Sequence, residues 1–381
     1  MTLVVVGASL AGLRAVESAR RTGYRGRIVL LGAEDHLPYD RPPLSKAFLD
    51  AGGPAVVTPF HPETVLRDEL GVELMLGAPA ESLDTAARAV TAGGAAIRYD
   101  ALVIATGATA RRLPGARALR TAEDAVAVRA ALDEGARTVV IGAGFIGSEV
   151  ASAARKRGLP VTLVEAAPVP LVRAVGAEAG AALAGLHDAA GTDLRLATEV
   201  VGVGNGVHLA TGEVLPADLV VAGIGAVPAT SWLEGSGLTL HERDRGVVCD
   251  ATLAAGPPGV YAAGDVAHVV NPLFDGEPMR LEHWTNAAEQ GAAAARHALD
   301  PASARALQPV PYFWSDWYGH RIQFVGTPHA DEVLVQGGTT LYRRADRVVG
   351  ALTVDRPREI MKHRRRIAAR APWSEALKAT A

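Results

Sequence analysis

The chain has 381 residues, 49% of them hydrophobic, and a formal net charge of −3. Its apolar runs, such as Leu219 to Ala229, are short and broken by glycine, which excludes a membrane span of about 18 to 20 apolar residues. Cys249 is the only cysteine, so an internal disulfide, a CxxC redox pair and a cysteine-ligated metal site are excluded, and no metal is expected. With no secretory leader visible, we expect a cytoplasmic protein of two or three domains.

The first predicted strand, Thr2 to Val6, is followed by GASLAG and then by helical spacing from Leu13. A strand, a tight glycine turn and a helix aim helix N-terminal amides at a phosphate. Ser9 replaces the central glycine of the G-x-G-x-x-G pattern, which its small size and its hydroxyl donor make tolerable. The alternative is a turn that binds no ligand. The predicted phosphate contacts are Gly7, Ser9, Leu10, Ala11 and Gly12.

A complete G-x-G-x-x-G pattern follows the second predicted strand, Thr138 to Ile141. Its predicted nucleotide contacts are Gly142, Gly144, Phe145, Ile146 and Gly147. The next strand ends at Glu165, close to the spacing of the acid that binds a ribose 2′-hydroxyl. Because that acid would repel a 2′-phosphate, the pattern predicts NADH rather than NADPH. Two such motifs in one chain indicate two nucleotide domains, and a flavin with a nicotinamide is the natural pair.

Further segments follow in chain order: LPYDRPPLSK, VIATGATARRLPG, VVAGIGAVPATSWLEGSGL, GVYAAGDVA, LEHWTNAAEQG and YFWSDWYGH. Together with the two glycine motifs, they resemble the oxygenase-coupled ferredoxin reductases of the two-dinucleotide-binding-domain flavoprotein superfamily, along nearly the whole chain. The resemblance implies an α/β fold of two Rossmann-like dinucleotide-binding domains (FAD and NAD) plus a smaller α+β C-terminal domain. It implies an FAD domain at 1–110 and 241–307, an NAD domain at 111–240 and a C-terminal interface domain at 308–381.

The resemblance also implies roles for individual residues. Arg41 contacts the FAD pyrophosphate, Lys46 lies near flavin N5, and Glu149 pairs with Lys46 near the nicotinamide. Asp265 contacts the ribitol or pyrophosphate side of FAD, while Trp314 lies beside the flavin and nicotinamide. Lys46, Glu149 and Trp314 are the predicted catalytic residues. The remaining predicted cofactor contacts are Ala80, Thr106, Gly107, Arg111, Arg173, Gly225, Gly264, Glu282, His283 and Trp284.

Three positions depart from the family pattern. Ser9 replaces a glycine, and Ala33 occupies the place of an acid for the FAD ribose, so either Glu34 takes that role or the contact is lost. The family's FWSDQ reads FWSDW here, and Trp317 is expected to alter the edge of the active site or the partner surface. His283 is as readily a structural donor as a cofactor contact, and Cys249 is expected to be a buried structural thiol.

The function implied is an NADH-dependent ferredoxin reductase that serves a haem-thiolate mono-oxygenase or a Rieske-type oxygenase. Because one cysteine cannot hold an iron–sulfur cluster, the acceptor must be a separate protein. The alternatives are a rubredoxin reductase, an NADH oxidase or another reductase of this fold, and a non-enzymatic flavoprotein resembling apoptosis-inducing factor. A monomer or weak homodimer is expected, with no nucleic-acid partner. Residues 340–370 hold 10 Lys or Arg against 3 acids, which indicates either a ferredoxin docking surface or a solvated helix face.

Overall fold

The computed structural model describes residues 1–53 and 56–377. The chain divides into two compact units. Unit 1 comprises Met1–Asp40, Thr58–Thr109 and Val227–Pro309, and unit 2 comprises Arg41–Val57, Ala110–Ala226 and Val310–Ala381. No helix among the described residues is long and apolar enough to cross a membrane.

The helices of the described ranges are α1 (Leu10–Arg21), α2 (Ala122–Asp133), α3 (Phe145–Lys156), α4 (Val172–Ala189), α5 (Trp284–Leu299), α6 (Pro357–Ala368) and α7 (Trp373–Leu377). The strands are β1 (Thr2–Val6), β2 (Arg27–Leu31), β3 (Val72–Met75), β4 (Ala80–Asp84), β5 (Ala89–Ala92), β6 (Ala95–Arg98), β7 (Ala101–Ile104), β8 (Ala108–Ala110), β9 (Thr138–Ile141), β10 (Val161–Val164), β11 (Asp193–Arg195), β12 (Val200–Val203), β13 (Val207–Leu209), β14 (Val214–Leu215), β15 (Leu219–Ala222), β16 (Ala226–Pro228), β17 (Val247–Cys249), β18 (Val260–Ala262), β19 (Ala267–Asn271), β20 (Glu277–Met279), β21 (Tyr312–Trp317), β22 (His320–Gly326), β23 (Glu332–Gln336), β24 (Thr339–Arg344) and β25 (Arg347–Val354).

Unit 1 is built on a five-stranded parallel sheet in the order β18-β7-β1-β2-β3. Its central strands are almost entirely apolar and buried, as expected for a parallel sheet that is covered on both faces. α1 packs against α5, and a Cβ at Gly291 of α5 would lie 2.1 Å from the Ala11 carbonyl oxygen. The glycine therefore lets the two helices approach closely beside the first nucleotide motif.

Unit 2 contains a four-stranded parallel sheet, in the order β11-β10-β9-β15, and a five-stranded antiparallel sheet in the order β21-β22-β25-β24-β23. α6 packs on β22 and β25 of the antiparallel sheet. The predicted strands Thr2 to Val6 and Thr138 to Ile141 match β1 and β9. Two parallel sheets with helices and a C-terminal antiparallel sheet confirm the predicted fold class.

The two units do not follow the predicted domain boundaries. Residues 41–57 belong to unit 2 and residues 227–240 to unit 1, while 310–381 share unit 2 with the predicted NAD domain. The three-domain division stays a prediction. Cys249 is buried at the end of β17, and burial raises the pKa of its thiol to about 12, so it is the inert structural thiol that the sequence predicts.

Candidate functional site

The first glycine-rich loop joins β1 to α1 in unit 1. Gly7 has φ +119°, and a Cβ there would lie 2.1 Å from the Ala105 carbonyl oxygen. A Cβ at Gly12 would lie 1.9 Å from the Gly7 carbonyl oxygen. Ser9 is the N-cap of α1 in an extended conformation, φ −125°, which any residue adopts. Glycine is therefore required at both ends of this loop but not, on backbone grounds, at Ser9.

The second loop joins β9 to α3 in unit 2 and repeats this geometry. Gly142 has φ +99°, and a Cβ at Gly147 would lie 1.9 Å from the Gly142 carbonyl oxygen. Gly144 is the N-cap of α3, again extended at φ −81°. One carboxylate oxygen of Glu165 accepts from Ala143 N at 2.7 Å and the other from Ala167 N at 2.8 Å. The acid after β10 therefore also fixes the shape of the loop.

Both loops fit a dinucleotide pyrophosphate. Each ends in the first turn of a helix, whose leading backbone N–H groups have no carbonyl partner within the helix. These groups and the positive end of the helix dipole favour an anion. In α1 the predicted contacts Leu10 and Ala11 occupy this turn, and in α3 Phe145 and Ile146 occupy it. The residues present thus match the donor set that FAD and NAD(H) require.

Other predicted flavin contacts of unit 1 have defined neighbours. The Glu34 carboxylate accepts from the Tyr39 hydroxyl at 2.6 Å, and Trp284 Nε1 donates to Asp40 Oδ1 at 2.8 Å. His283 is the N-cap of α5, and burial lowers its pKa to about 4, so its ring is neutral at neutral pH. Ala33 is exposed and has no acid to offer, so the role of Glu34 toward the FAD ribose stays a prediction.

The GVYAAGDVA segment, which holds the predicted FAD contacts Gly264 and Asp265, approaches α1 within the same unit. Gly264 has φ +79°, a Cβ there would lie 3.2 Å from the Ala11 Cβ, and its N–H donates to Gln290 Oε1 at 2.8 Å. Asp265 follows in a short 3₁₀ turn. The structure therefore brings this motif together with the first glycine loop.

Three other predicted cofactor contacts of unit 1 lie elsewhere in its fold. Ala80 begins β4. Thr106 Oγ1 donates to the Ala229 carbonyl at 2.8 Å, and the Gly107 carbonyl accepts from Ala229 N at 3.0 Å.

A polar cluster around Asp244 lies next to this motif. Arg280 donates to Asp244 at 2.6 Å, to the Asp265 carbonyl at 3.0 Å and to Glu282 at 2.7 Å. Burial alone would raise the pKa of Asp244, but donors from Gly246, His268 and Arg280 hold it below its ordinary value. His241 and His268 stack at 4.1 Å with an interplanar angle of 17°. His241, Asp244 and His268 each have a ligand atom within 4.8 Å of the others, but the Asp244 carboxylate already bonds His268 Nε2 and Arg280 Nε, so we assign no metal to this cluster.

The predicted catalytic pair of unit 2 is formed. Glu149 lies in α3, just after the second glycine loop, and its Oε1 is 2.7 Å from Lys46 Nζ. Its side chain is only 2% exposed. Ser315 Oγ donates to Glu149 Oε1 at 2.5 Å, and Ser45 Oγ donates to Oε2. Three donors therefore satisfy a buried carboxylate, as such a group requires.

Trp314 lies on the other face of β21 from Ser315. Phe313, Ser315 and Trp317 alternate along the strand with the more exposed Tyr312 and Trp314, because successive residues of a strand point to opposite faces. Trp314 stacks on Tyr312 at 5.9 Å, and the Arg321 guanidinium lies over its ring at 5.7 Å. Within unit 2, Trp314 is thus separate from the Lys46–Glu149 pair, and its catalytic role stays a prediction.

The other predicted cofactor contacts of unit 2 have defined positions or hydrogen-bond partners. Arg41 donates to the Arg120 carbonyl at 2.8 Å, and Arg111 N donates to the Gly225 carbonyl at 2.9 Å. Arg173 lies in the first turn of α4, whose N-cap Leu171 donates its N–H to the Ala143 carbonyl at 3.1 Å. The start of α4 is therefore tied to the second glycine loop.

The sequence analysis missed Ser45 and Ser315. Each occurs inside a segment that was singled out, Ser45 directly before Lys46 and Ser315 directly after Trp314. Strand alternation could have placed Ser315 and Trp317 on one face, but it could not have predicted that Ser315 contacts Glu149 of α3. Trp317 is fully buried, so the expectation that it alters a partner surface is wrong.

Comparisons with known proteins agree with this geometry. The family model for pyridine nucleotide-disulphide oxidoreductases matches residues 1–291, and the reductase C-terminal model matches residues 312–380. The benzene 1,2-dioxygenase system ferredoxin–NAD(+) reductase subunit of Pseudomonas putida is 37% identical, with 94% of this chain and 90% of the relative covered. The rubredoxin-NAD(+) reductase of Pseudomonas putida is 37% identical, with 86% of each chain covered.

Solved structures include a covalent putidaredoxin reductase–putidaredoxin complex, whose similarity has a TM-score of 0.91 at 32% identity. The matched region covers 100% of this chain and 98% of the chain in that structure. The family that the sequence motifs resemble is thereby confirmed. The chain belongs to the pyridine nucleotide-disulphide oxidoreductase family.

Proposed function

We infer that this protein is an NADH-dependent flavoprotein that reduces a ferredoxin of an oxygenase system. The observation that carries this inference is the pair of glycine-rich loops, one in each unit, with the same steric constraints at both ends. Full-length relatives are ferredoxin–NAD(+) reductases, in agreement with the predicted enzyme class and cofactors. FAD, when bound, takes two electrons together from NADH and releases them one at a time.

The glycine-rich loop of unit 1 binds FAD and that of unit 2 binds NADH. Gly7, Ser9 and Gly12 shape the FAD loop, with Asp265 and Glu34 beside it as candidate contacts. Gly142, Gly144 and Gly147 shape the NADH loop, where Glu165 provides the acid that disfavours a 2′-phosphate. Lys46 and Glu149 form a buried ion pair one helical turn beyond that loop, and they orient the nicotinamide end.

The electron acceptor is a separate protein. This chain has one cysteine, and it is buried, so thiolates of this chain cannot hold an iron–sulfur cluster. The structural relative was solved as a covalent complex with putidaredoxin. A ferredoxin is the partner that these facts support, and rubredoxin is the second candidate because a rubredoxin reductase is also 37% identical, over 86% of this chain.

We propose that the ferredoxin docks on one face of α6. Arg358, Lys362 and Arg365 are exposed at positions i, i+4 and i+7, and we call them the α6 stripe. The opposite face is buried through Ile360, His363 and Ile367. An exposed row of cations attracts an acidic partner and speeds its encounter.

The docking test is triple charge reversal of the α6 stripe to glutamate. The KM for ferredoxin should rise about tenfold or more at low salt, by loss of steering, while NADH-driven ferricyanide reduction is unchanged. The matched control reverses Arg21, Arg25 and Arg98, which are exposed cations of unit 1. An equal rise in the control, or no rise in the α6 variant, would place the ferredoxin elsewhere.

The functional test is cytochrome c reduction by the purified protein, with and without a [2Fe–2S] ferredoxin or a rubredoxin. The inference predicts a large ferredoxin-dependent rate with NADH and a much smaller one with NADPH. A rate that depends on rubredoxin alone would select the second candidate. NADH consumption that needs only oxygen would indicate an oxidase, and stable reduction without turnover a signalling flavoprotein. Cytoplasmic location and a monomeric or weakly dimeric state stay predictions.

A further inference from the structure

A buried chain of hydrogen bonds in unit 2 leads from Trp317 to the catalytic pair. Trp317 Nε1 donates to Ser315 Oγ at 2.8 Å, and Ser315 Oγ donates to Glu149 Oε1 at 2.5 Å. Trp317 and Ser315 are both fully buried. The same Glu149 oxygen lies 2.7 Å from Lys46 Nζ.

The groups at the two ends set the direction of this chain. A carboxylate only accepts and an indole N–H only donates, whereas a serine hydroxyl has one proton and can also accept. The Ser315 proton is therefore directed to Glu149, and the Trp317 N–H occupies a lone pair of the Ser315 oxygen. Trp317 thus anchors Ser315 without competing for its proton, whereas an acceptor at position 317 would compete with Glu149 for that proton.

The indole itself is held in place. Its ring lies 4.9 Å from the His187 ring, and His187 Nδ1 is 2.7 Å from the Tyr318 hydroxyl. That hydroxyl is 2.9 Å from Thr192 Oγ1. Burial lowers the pKa of His187 to about 4, so an uncharged ring packs on the indole at neutral pH. This packing helps to hold the Trp317 side chain in the rotamer that reaches Ser315.

We propose that Ser315 and Trp317 are positioning residues, which hold the Glu149 carboxylate in the orientation that pairs with Lys46. The proposal rests on the proposed function. It requires Trp317 to act through Ser315 rather than in parallel with it. Loss of either residue then lowers the rate at which NADH reduces the bound flavin, with little change in NADH affinity, because neither side chain belongs to the glycine loop.

The kinetic test compares Ser315→Ala, Trp317→Phe and the double variant by anaerobic stopped flow. Ser315→Ala should lower the limiting rate of flavin bleaching about tenfold. This factor corresponds to the lower end of the free energy that one hydrogen bond to a charged group contributes. Trp317→Phe keeps an aromatic side chain but removes the donor that anchors the Ser315 oxygen, so a smaller loss is expected. The double variant should match Ser315→Ala, because residues in one chain of contacts are not additive.

A spectroscopic readout reports the same bond independently of turnover. The indole N–H resonance of Trp317, assigned by its absence in Trp317→Phe, should shift in Ser315→Ala and in Glu149→Gln. The matched controls are Trp232→Phe, which removes an indole that donates to the Ala229 carbonyl at 3.2 Å, and Ser236→Ala. Both controls lie in unit 1 and should keep the wild-type rate.

The outcomes separate the two inferences. If NADH does not bleach the wild-type flavin, the proposed function fails. The positioning role is wrong if NADH bleaches the wild-type flavin but the rate losses of the two single variants multiply in the double variant. It is also wrong if the single variants bleach at the rate of the control variants. An unshifted Trp317 resonance in Ser315→Ala also overturns it.

Discussion

The two glycine-rich loops have one backbone geometry and two different surroundings. Their outer glycines meet the same constraint, since Gly12 and Gly147 each leave 1.9 Å between a Cβ and the carbonyl of the first glycine. The loops differ at the middle position, which is Ser9 in the first and Gly144 in the second. They also differ in the acid that follows the next strand, which is Glu34 in unit 1 and Glu165 in unit 2. Glu165 bonds its own loop at Ala143, whereas Glu34 bonds Tyr39. Close backbone packing thus fixes the outer glycines, while the middle position is free to vary with the nucleotide.

The largest effect is expected from Gly12→Ala and Gly147→Ala, made as a matched pair. Each adds a Cβ where the backbone leaves no space, so each loop should lose its nucleotide. Gly12→Ala should purify without FAD, and Gly147→Ala should keep FAD but raise the KM for NADH at least tenfold. Absorbance at 450 nm and steady-state kinetics measure both. A yellow Gly12→Ala protein with full flavin occupancy would contradict the assignment of the first loop.

A pH comparison follows from His187 in unit 2 and His283 in unit 1. Burial lowers the pKa of each to about 4, so below about 6.5 the unfolded chain binds protons that the folded chain does not. The free energy of unfolding should therefore fall between pH 6.5 and 4, by at most about 3 kcal/mol per histidine.

His187→Asn should remove the His187 share of that loss and leave the His283 share. Urea unfolding of wild type and variant at several pH values measures the difference. Parallel pH profiles for the two proteins would show that His187 is not kept neutral by burial.

Glu165→Ala should weaken NADH binding more than Glu34→Ala weakens FAD binding. Glu165 accepts two backbone N–H groups, and a hydrogen bond to a charged group contributes about 1.5 to 3 kcal/mol. A rise of about tenfold or more in the KM for NADH is expected, together with a smaller preference for NADH over NADPH. Flavin release from Glu34→Ala, followed by fluorescence, is the companion measurement. Unchanged NADH kinetics in Glu165→Ala would remove this residue from the site.

The smallest effects are expected from exchanging the middle residues, Ser9→Gly and Gly144→Ser. Both positions are extended, and a Cβ at Gly144 would lie 3.7 Å from the Gly223 carbonyl oxygen, an ordinary contact. Neither change should move the free energy of unfolding by more than about 1 kcal/mol. Thermal melts of the apoproteins measure this, and a large loss in either would mean that the loop backbones differ more than their dihedral angles indicate.

The sequence predicted the features that depend on local geometry. Strand, glycine spacing and helix recur in the order that the motif requires, so β1, β9 and both loops were predictable. α1 begins at Leu10, three residues before the first residue predicted to be helical, because the end of the glycine turn already belongs to the helix. The Lys46–Glu149 pair was predictable only through the family resemblance.

Contacts between distant segments were not predictable. Ser315 meets Glu149 only because β21 packs on α3, and no local pattern encodes that approach. Trp317, which was expected to alter either the edge of the active site or the partner surface, is fully buried. Partners of hydroxyls and indoles depend on such tertiary contacts, whereas glycine positions depend on the local backbone.

The most direct test of the account is an anaerobic titration of the FAD-loaded protein with NADH, followed by addition of oxidised [2Fe–2S] ferredoxin. We predict that one NADH bleaches one FAD and that the reduced protein then reduces two ferredoxins, one electron each, while NADPH bleaches it far more slowly. Bleaching by NADH with no transfer to ferredoxin or rubredoxin would contradict the reductase function. Equal bleaching by NADPH would contradict the role of Glu165 in the second loop.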